Sequence, residues 1–335
     1  MTGTENPNIA TVRADKRPIN SIPFSGLTAM AGLLIAVLGA SEFNRVARAG
    51  YLYVADEAAG TVYRIDGSGD ETVFASGLNF PSALAADGSG DIYVSDQTAL
   101  YKFTPNGSKS VFSNVRGLMG LAVDSAGDVF GTFWTQFAES SDLLEFSPAG
   151  QESELDNRLS EPFELAIDAN SSVFVAEYIE GSPTTASIRE YELTGFPQHY
   201  LGFPFVNGLT GAAGMVFDKA GDLLVSDGYG TISRITTAGT KFTYFSTSTS
   251  TALGELAIDP NGDLFVVDGT TFGSEQISEI TPSGGFSTIA SGFDDPSSIV
   301  FVVPEPTSLH LLLLGTIGLF GSAALCKRHL PPRLH

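Results

Sequence analysis

Carboxylates fall at repeating places in this sequence. Asp56, Asp96, Glu177, Asp227 and Asp268 each close a short apolar run, and in a sixth such run the place is held by Phe133. Two further acids, Glu164 and Glu255, stand directly before other apolar runs, where Ala83 and Ser298 occupy the equivalent position. Gathered at one rim, up to seven carboxylates are hard oxygen ligands of the kind Ca²⁺ takes. No cofactor is demanded by the sequence, and a Ca²⁺ ion is the one it admits. Trp134, Tyr178 and Tyr229 lie beside these acids in the chain. The competing reading is local: a short acidic side chain at a strand end caps the next turn, and recurs because the turn recurs. Asp91, Asp128, Asp222 and Asp263 follow a turn glycine and lack the alternating acids and late Glu of an EF-hand loop.

The elements that must position these acids are written five times. Leu84–Asp96 (LAADGSGDIYVSD), Leu121–Phe133, Leu165–Glu177, Met215–Asp227 and Leu256–Asp268 each read as apolar run, Asp, polar turn and second apolar run. Asp87, Asp124, Asp168, Asp218 and Asp259 are spaced by 37, 44, 50 and 41 residues. The grammar is that of a β-hairpin repeated as a unit. Each unit continues with an alternating third segment, such as Leu100-Tyr101-Lys102-Phe103 or Ile232-Ser233-Arg234-Ile235. A turn and a variable fourth segment follow. Four strands in about forty residues make a β-propeller blade. Gly50–Asp56 supplies a second strand with no first strand before it, and Pro296–Val302 aligns with Pro81–Asp87 and Pro162–Asp168. The last segment is therefore expected to complete the first blade and close a ring of six, which leaves no unpaired edge at the seam. The fold class is all-β, a six-bladed β-propeller.

The phrase Ala86-Asp87, Gly90, Ile92-Tyr93-Val94-Ser95-Asp96 resembles the NHL repeat, and the resemblance runs over Gly50–Val302. It implies the propeller fold and leaves function open. Six-bladed relatives of this kind include gluconolactonase-like enzymes and streptogramin lyases. The first would imply a divalent metal held by a Glu, Asn residues and an Asp. Glu164 or Glu255 and the rim Asp residues are available, but Asn79 and Asn207 lie only in approaching loops. The second would imply a catalytic His in the channel, whereas His199 falls in a fourth-strand region.

The two ends carry a different message. Residues 1–25 include Arg13, Lys16 and Arg17. An apolar run at Leu27–Ala40 and Ala47-Arg48-Ala49, an A-x-A site, follow. This reads as a signal peptide, residues 1–49, with an uncleaved anchor as the alternative. Residues 50–303 form the propeller. In residues 304–335, Pro304-Glu305-Pro306 precedes the apolar stretch Leu309–Cys326 and then Lys327-Arg328-His329. Eighteen residues, mostly Leu, Gly and Ala, followed by a basic cluster suit a marginal single transmembrane helix with its end held in the cytoplasm. Motif, helix and basic cluster in that order resemble the PEP-CTERM sorting signal of Gram-negative bacteria, which implies processing by an exosortase partner. A permanent tail anchor is the alternative.

Composition narrows the function classes. Residues 50–303 hold 34 acidic and 9 basic side chains, a net charge of −25, which repels phosphate backbones and argues against nucleic-acid partners. The one cysteine, Cys326, sits in the apolar tail, so neither an internal disulfide nor a cysteine metal site can form. The expectation is an exported binding or scaffold module of the cell surface or exopolysaccharide matrix. It would be held at the inner membrane before processing, with a polysaccharide or envelope protein as ligand. The alternative is a metal-dependent lactonase-like hydrolase, or a lyase, acting in the channel.

Overall fold

The computed structural model describes residues 50–134, 141–179, 182–192, 202–247, 251–269 and 275–304. The expected signal peptide at residues 1–49, His199, Glu305, Pro306 and the apolar stretch after them lie outside the described residues. All that is described belongs to one compact unit, Ala47–His335. The described residues form 24 strands and no helix, so no helix among them is long and apolar enough to cross a membrane.

The strands pair as six four-stranded antiparallel sheets. From the axis outward, blade one is Pro296–Val302, Tyr51–Asp56, Thr61–Ile65 and Glu71–Ser76. The inner strands of blades two to six are Ala83–Ala86, Leu118–Val123, Pro162–Ile167, Gly214–Phe217 and Ala252–Ile258. In blade one the first and last strands of the ring pair as expected, with Leu52 opposite Phe301 and Val54 opposite Ile299. The hydrogen bond from Glu57 N to Asp295 O extends the seam.

The blades stack through their faces. Along the second strand of blade one, Leu52 and Val54 pack toward blade six, with Phe265, Val267 and Ile277. Tyr53 and Ala55 pack toward blade two, with Leu84, Ile92 and Val94. A strand with neighbours on both faces needs apolar residues at every position, which is why these runs do not alternate. Such a cluster fills each of the six gaps between adjacent blades. Outer strands have one buried face, and there the pattern becomes polar and exposed, as in Glu71–Ser76.

Each inner hairpin is closed by the same turn. Asp87 accepts the amides of Ser89 at 2.9 Å and Asp91 at 3.0 Å, and Gly90 supplies the positive φ of 80°. Blade four has Ser171 at the glycine position, and it adopts φ 65°. These turns define a basal face. The chain termini of the ring share it: Gly90 of blade two abuts Val302, whose Cγ1 would lie 3.6 Å from a Cβ on that glycine. The opposite face, where inner strands begin, is the mouth.

Candidate functional site in the channel and its mouth

Four of the six inner strands begin with a register shift against their neighbour. The shifts fall at Met119, at Phe163, at Ser297 and across Gly254-Glu255. A bulge there adds a residue and turns side chains that a regular strand would bury in the gap between blades. The position just below it reads Ala83, Gly120, Glu164, Gly214, Glu255 and Ser298 around the ring. The two acids are thus on blades four and six, with the small residue of blade five between them. Gly214 presses on blade six so closely that a Cβ would come within 2.6 Å of Glu255 Cα. Gly120 does the same to blade four, 3.1 Å from Glu164 Cα.

Across this gap the carboxyls of Glu164 and Glu255 are hydrogen-bonded to each other. On their basal side the channel widens into a cavity of about 210 Å³ lined by all six inner strands, and among its lining residues only these two ionise. Their side chains touch the channel space, yet protein surrounds them on every side. Burial therefore dominates their protonation. It pushes Glu164 up to about 7, against the hydrogen bonds that its carboxylate accepts from Glu255 and from the Leu165 amide at 2.8 Å. Glu255 is held well above the usual range by burial, by the Glu164 charge and by the proton it donates to that partner. The pair carries a proton at neutral pH.

The five acids at the strand ends lie on the mouth face and are held by their own loops. Asp56, 1% exposed, accepts the amides of Ala59, Asp294 and Asp295 at 3.0, 2.9 and 3.2 Å. Asp96 accepts those of Asn79, Thr98 and Ala99. Burial alone would raise its pKa; those amides and the Thr98 hydroxyl outweigh that and lower it. Glu177 takes the Ser160 amide and the Arg189 guanidinium, and Asp227 the amides of Tyr229 and Thr231. Asp268 accepts Gln276 and Ser278 through Oδ2, and its buried Oδ1 has no partner among the described residues. Among the described residues no three His, Cys, Asp or Glu side chains stand close enough to share a metal ion.

The aromatic residues expected at the rim are on the mouth face. Tyr178 stacks on Phe163 with ring centroids 4.4 Å apart, Tyr229 is 63% exposed, and Trp134 is half-buried opposite Ser141. The structure adds Phe80 and Met119, both exposed, and Phe163 itself. A signal for Met119 and Phe163 was present: at their place in the repeat the other blades have Ser82, Ala213, Gly254 and Ser297. Phe80 precedes Pro81, two residues before the inner strand of blade two, and Glu161 precedes Pro162, which opens that of blade four; both have positive φ, 52° and 48°. Such backbone costs on the order of 1–3 kcal/mol and gathers where loops are held for a purpose.

No protein-family profile and no curated protein matches the chain. Solved structures do. A gluconolactonase from Xanthomonas campestris superposes over 65% of this chain and 79% of its own, at 16% identity and a TM-score of 0.56. A streptogramin B lyase covers 71% and 78%, at 19% identity and a TM-score of 0.53. TolB from Acinetobacter baumannii covers 76% and 66%, at 12% identity and a TM-score of 0.61. Likeness at such identities is likeness of fold, and the chain is a six-bladed β-propeller with structural neighbours of the gluconolactonase type.

Proposed function

We propose that the chain is an exported binding module whose ligand sits on the mouth of the ring. The observation that carries this reading is the Phe163–Tyr178 stack beside the exposed Tyr229, on the face where the inner strands begin. Aromatic faces held by a rigid scaffold suit sugar rings and the apolar patches of an envelope protein. The leader at residues 1–49 and the tail at residues 304–335 give the address. Export, retention through the stretch at about 309–326, and exosortase processing at Pro304-Glu305-Pro306 deliver the propeller to the cell surface or its polysaccharide matrix. Signal cleavage falls after Ala49. Binding of the purified protein to an array of bacterial polysaccharides, repeated with Tyr229→Ala, tests the site. A bound glycan lost about tenfold in the variant, at unchanged melting temperature, is the expected result; equal binding by both proteins defeats it. Deleting residues 303–335 tests the address, since the truncated protein should leave the membrane fraction.

The proton-bearing pair Glu164 and Glu255 favours a second reading, lactonase- or lyase-type chemistry inside the channel. Titration calorimetry with Ca²⁺ separates its metal-dependent form. Saturable heat that is lost in Glu164→Gln supports it, and the absence of heat removes it.

A further inference from the structure

The ring has two unlike faces, and its attachment point lies on only one of them. The inner strand of blade one ends at Val302 on the basal face, in contact with the Gly90 turn of blade two, and Gly50 begins beside it, against Phe301. From Pro304 the sequence reaches Leu309, the start of the apolar stretch, in five residues. Fully extended, they span about 17 Å. The same face carries the turn carboxylates, Asp87, Asp124, Asp168, Asp218 and Asp259 among them. The mouth lies one strand length away, about 20 Å for six residues.

We infer that, while the tail holds the protein in a bilayer, the basal face is the membrane-proximal surface and the mouth points away from the lipid. This rests on the reading of residues 309–326 as a membrane segment. The short tether sets both the distance and the orientation, and charge holds the face off the lipid. The basal carboxylates and an anionic lipid surface repel each other within a Debye length, about 8 Å at physiological salt. Lying on its side or inverting would require more chain than five residues provide. The partner of the basal face is thus an anionic lipid surface held at a stand-off. The mouth is left free for a ligand arriving from outside.

The test uses the full chain in phosphatidylglycerol-containing vesicles, with Cys326→Ser in the background and one thiol introduced for a fluorescent label. Ser89→Cys places the label in a basal turn and Ala58→Cys places it in a mouth loop, both at exposed positions. Energy transfer to a headgroup acceptor should be at least about twofold greater from the basal label. Inserting twenty Gly/Ser residues after Pro304 should remove the difference. Equal transfer from both labels, or greater transfer from the mouth, overturns the orientation while membrane retention stands. A difference that survives the insertion also overturns it, because the face would then bind lipid by itself. A protein that fails to float with the vesicles defeats the membrane-segment reading, and the orientation with it.

Discussion

Glu255 donates a hydrogen bond to Glu164 across the channel, joining blade six to blade four past the glycine of blade five. The contact needs a proton. With both groups ionised, two charges would face each other in a channel that has no other ionisable lining residue.

Stability should therefore fall as the pair titrates. Both carboxyls have folded-state pKa values above their unfolded ones, so their contribution is complete below about 4.5. It is lost as pH rises through about 7 for Glu164, and Glu255, also held well above its ordinary range, adds to the same loss. For Glu164 the linkage is at most about 3 kcal/mol. Urea unfolding from pH 4.5 to 8 should show the wild type losing more stability than the Glu164→Gln/Glu255→Gln protein, whose curve is flatter. Parallel curves would show that the pair is ionised in the fold.

Asp56 is the polar fastening of the ring. Three amides converge on it, two of them from Asp294 and Asp295 just before the closing strand. Asp56→Ala leaves those donors without an acceptor inside the seam, at a cost of about 3 kcal/mol. Hydrogen exchange should then rise first in Tyr51–Asp56 and Pro296–Val302. Uniform loosening of all six blades would contradict the seam as the weak point.

The ring, its six blades and the exchanged strand were legible because they follow from period and apolar pattern, which any one blade displays. The half-copy at Gly50–Asp56 and the unpaired segment Pro296–Val302 could be matched by sequence alone. The meeting of Glu164 and Glu255 could not. It depends on bulges at the inner-strand starts and on Gly120 and Gly214 pressing against the acids' backbones, which are contacts between repeats. The strand-end carboxylates were read as a set that could converge at a rim or cap its turns. Their amide partners repeat as well: Asn79 on Asp96, Ser160 on Glu177 and Asp294 on Asp56 each stand two residues before the proline that leads an inner strand, but only the folded loops show that these amides reach the acids. Phe80 and Glu161 illustrate the same limit, since nothing in an X-Pro pair announces a positive φ.

Blade four holds a strained turn that can be relieved. Ser171 adopts φ 65° where the turns of blades two, three, five and six have Gly90, Gly127, Gly221 and Gly262 at 80–90°. Ser171→Gly removes the left-handed penalty at the price of a more flexible unfolded chain. A net gain of about 0.5–1 kcal/mol in urea unfolding is expected. A loss would mean that Ser171 makes a compensating contact.

Three blades show what charge does beside the basal turns. In blade two Lys102 bridges Asp91 at 2.8 Å and Asp87 at 3.4 Å; in blade five Arg234 bridges Asp218 at 3.1 Å and Asp222 at 2.6 Å. The register places Lys102 opposite Tyr93, Arg234 opposite Leu224 and, in blade three, Glu145 opposite Phe130. Glu145 thus faces Asp124 and Asp128 where blades two and five have a cation. Burial first, then those two charges, hold its carboxyl above the ordinary range. Glu145→Lys should stabilise the protein by about 1 kcal/mol at low salt, with the gain shrinking in 1 M NaCl. Glu145→Gln, which removes repulsion without supplying attraction, should fall between the two. Glu145→Gln keeps an oxygen that can accept the Ser153 hydroxyl, 3.1 Å from the Glu145 carboxylate, whereas Glu145→Lys forfeits that bond. A lysine variant no more stable than the glutamine one would show that a bridge like those of blades two and five gains no more than the lost hydroxyl bond is worth.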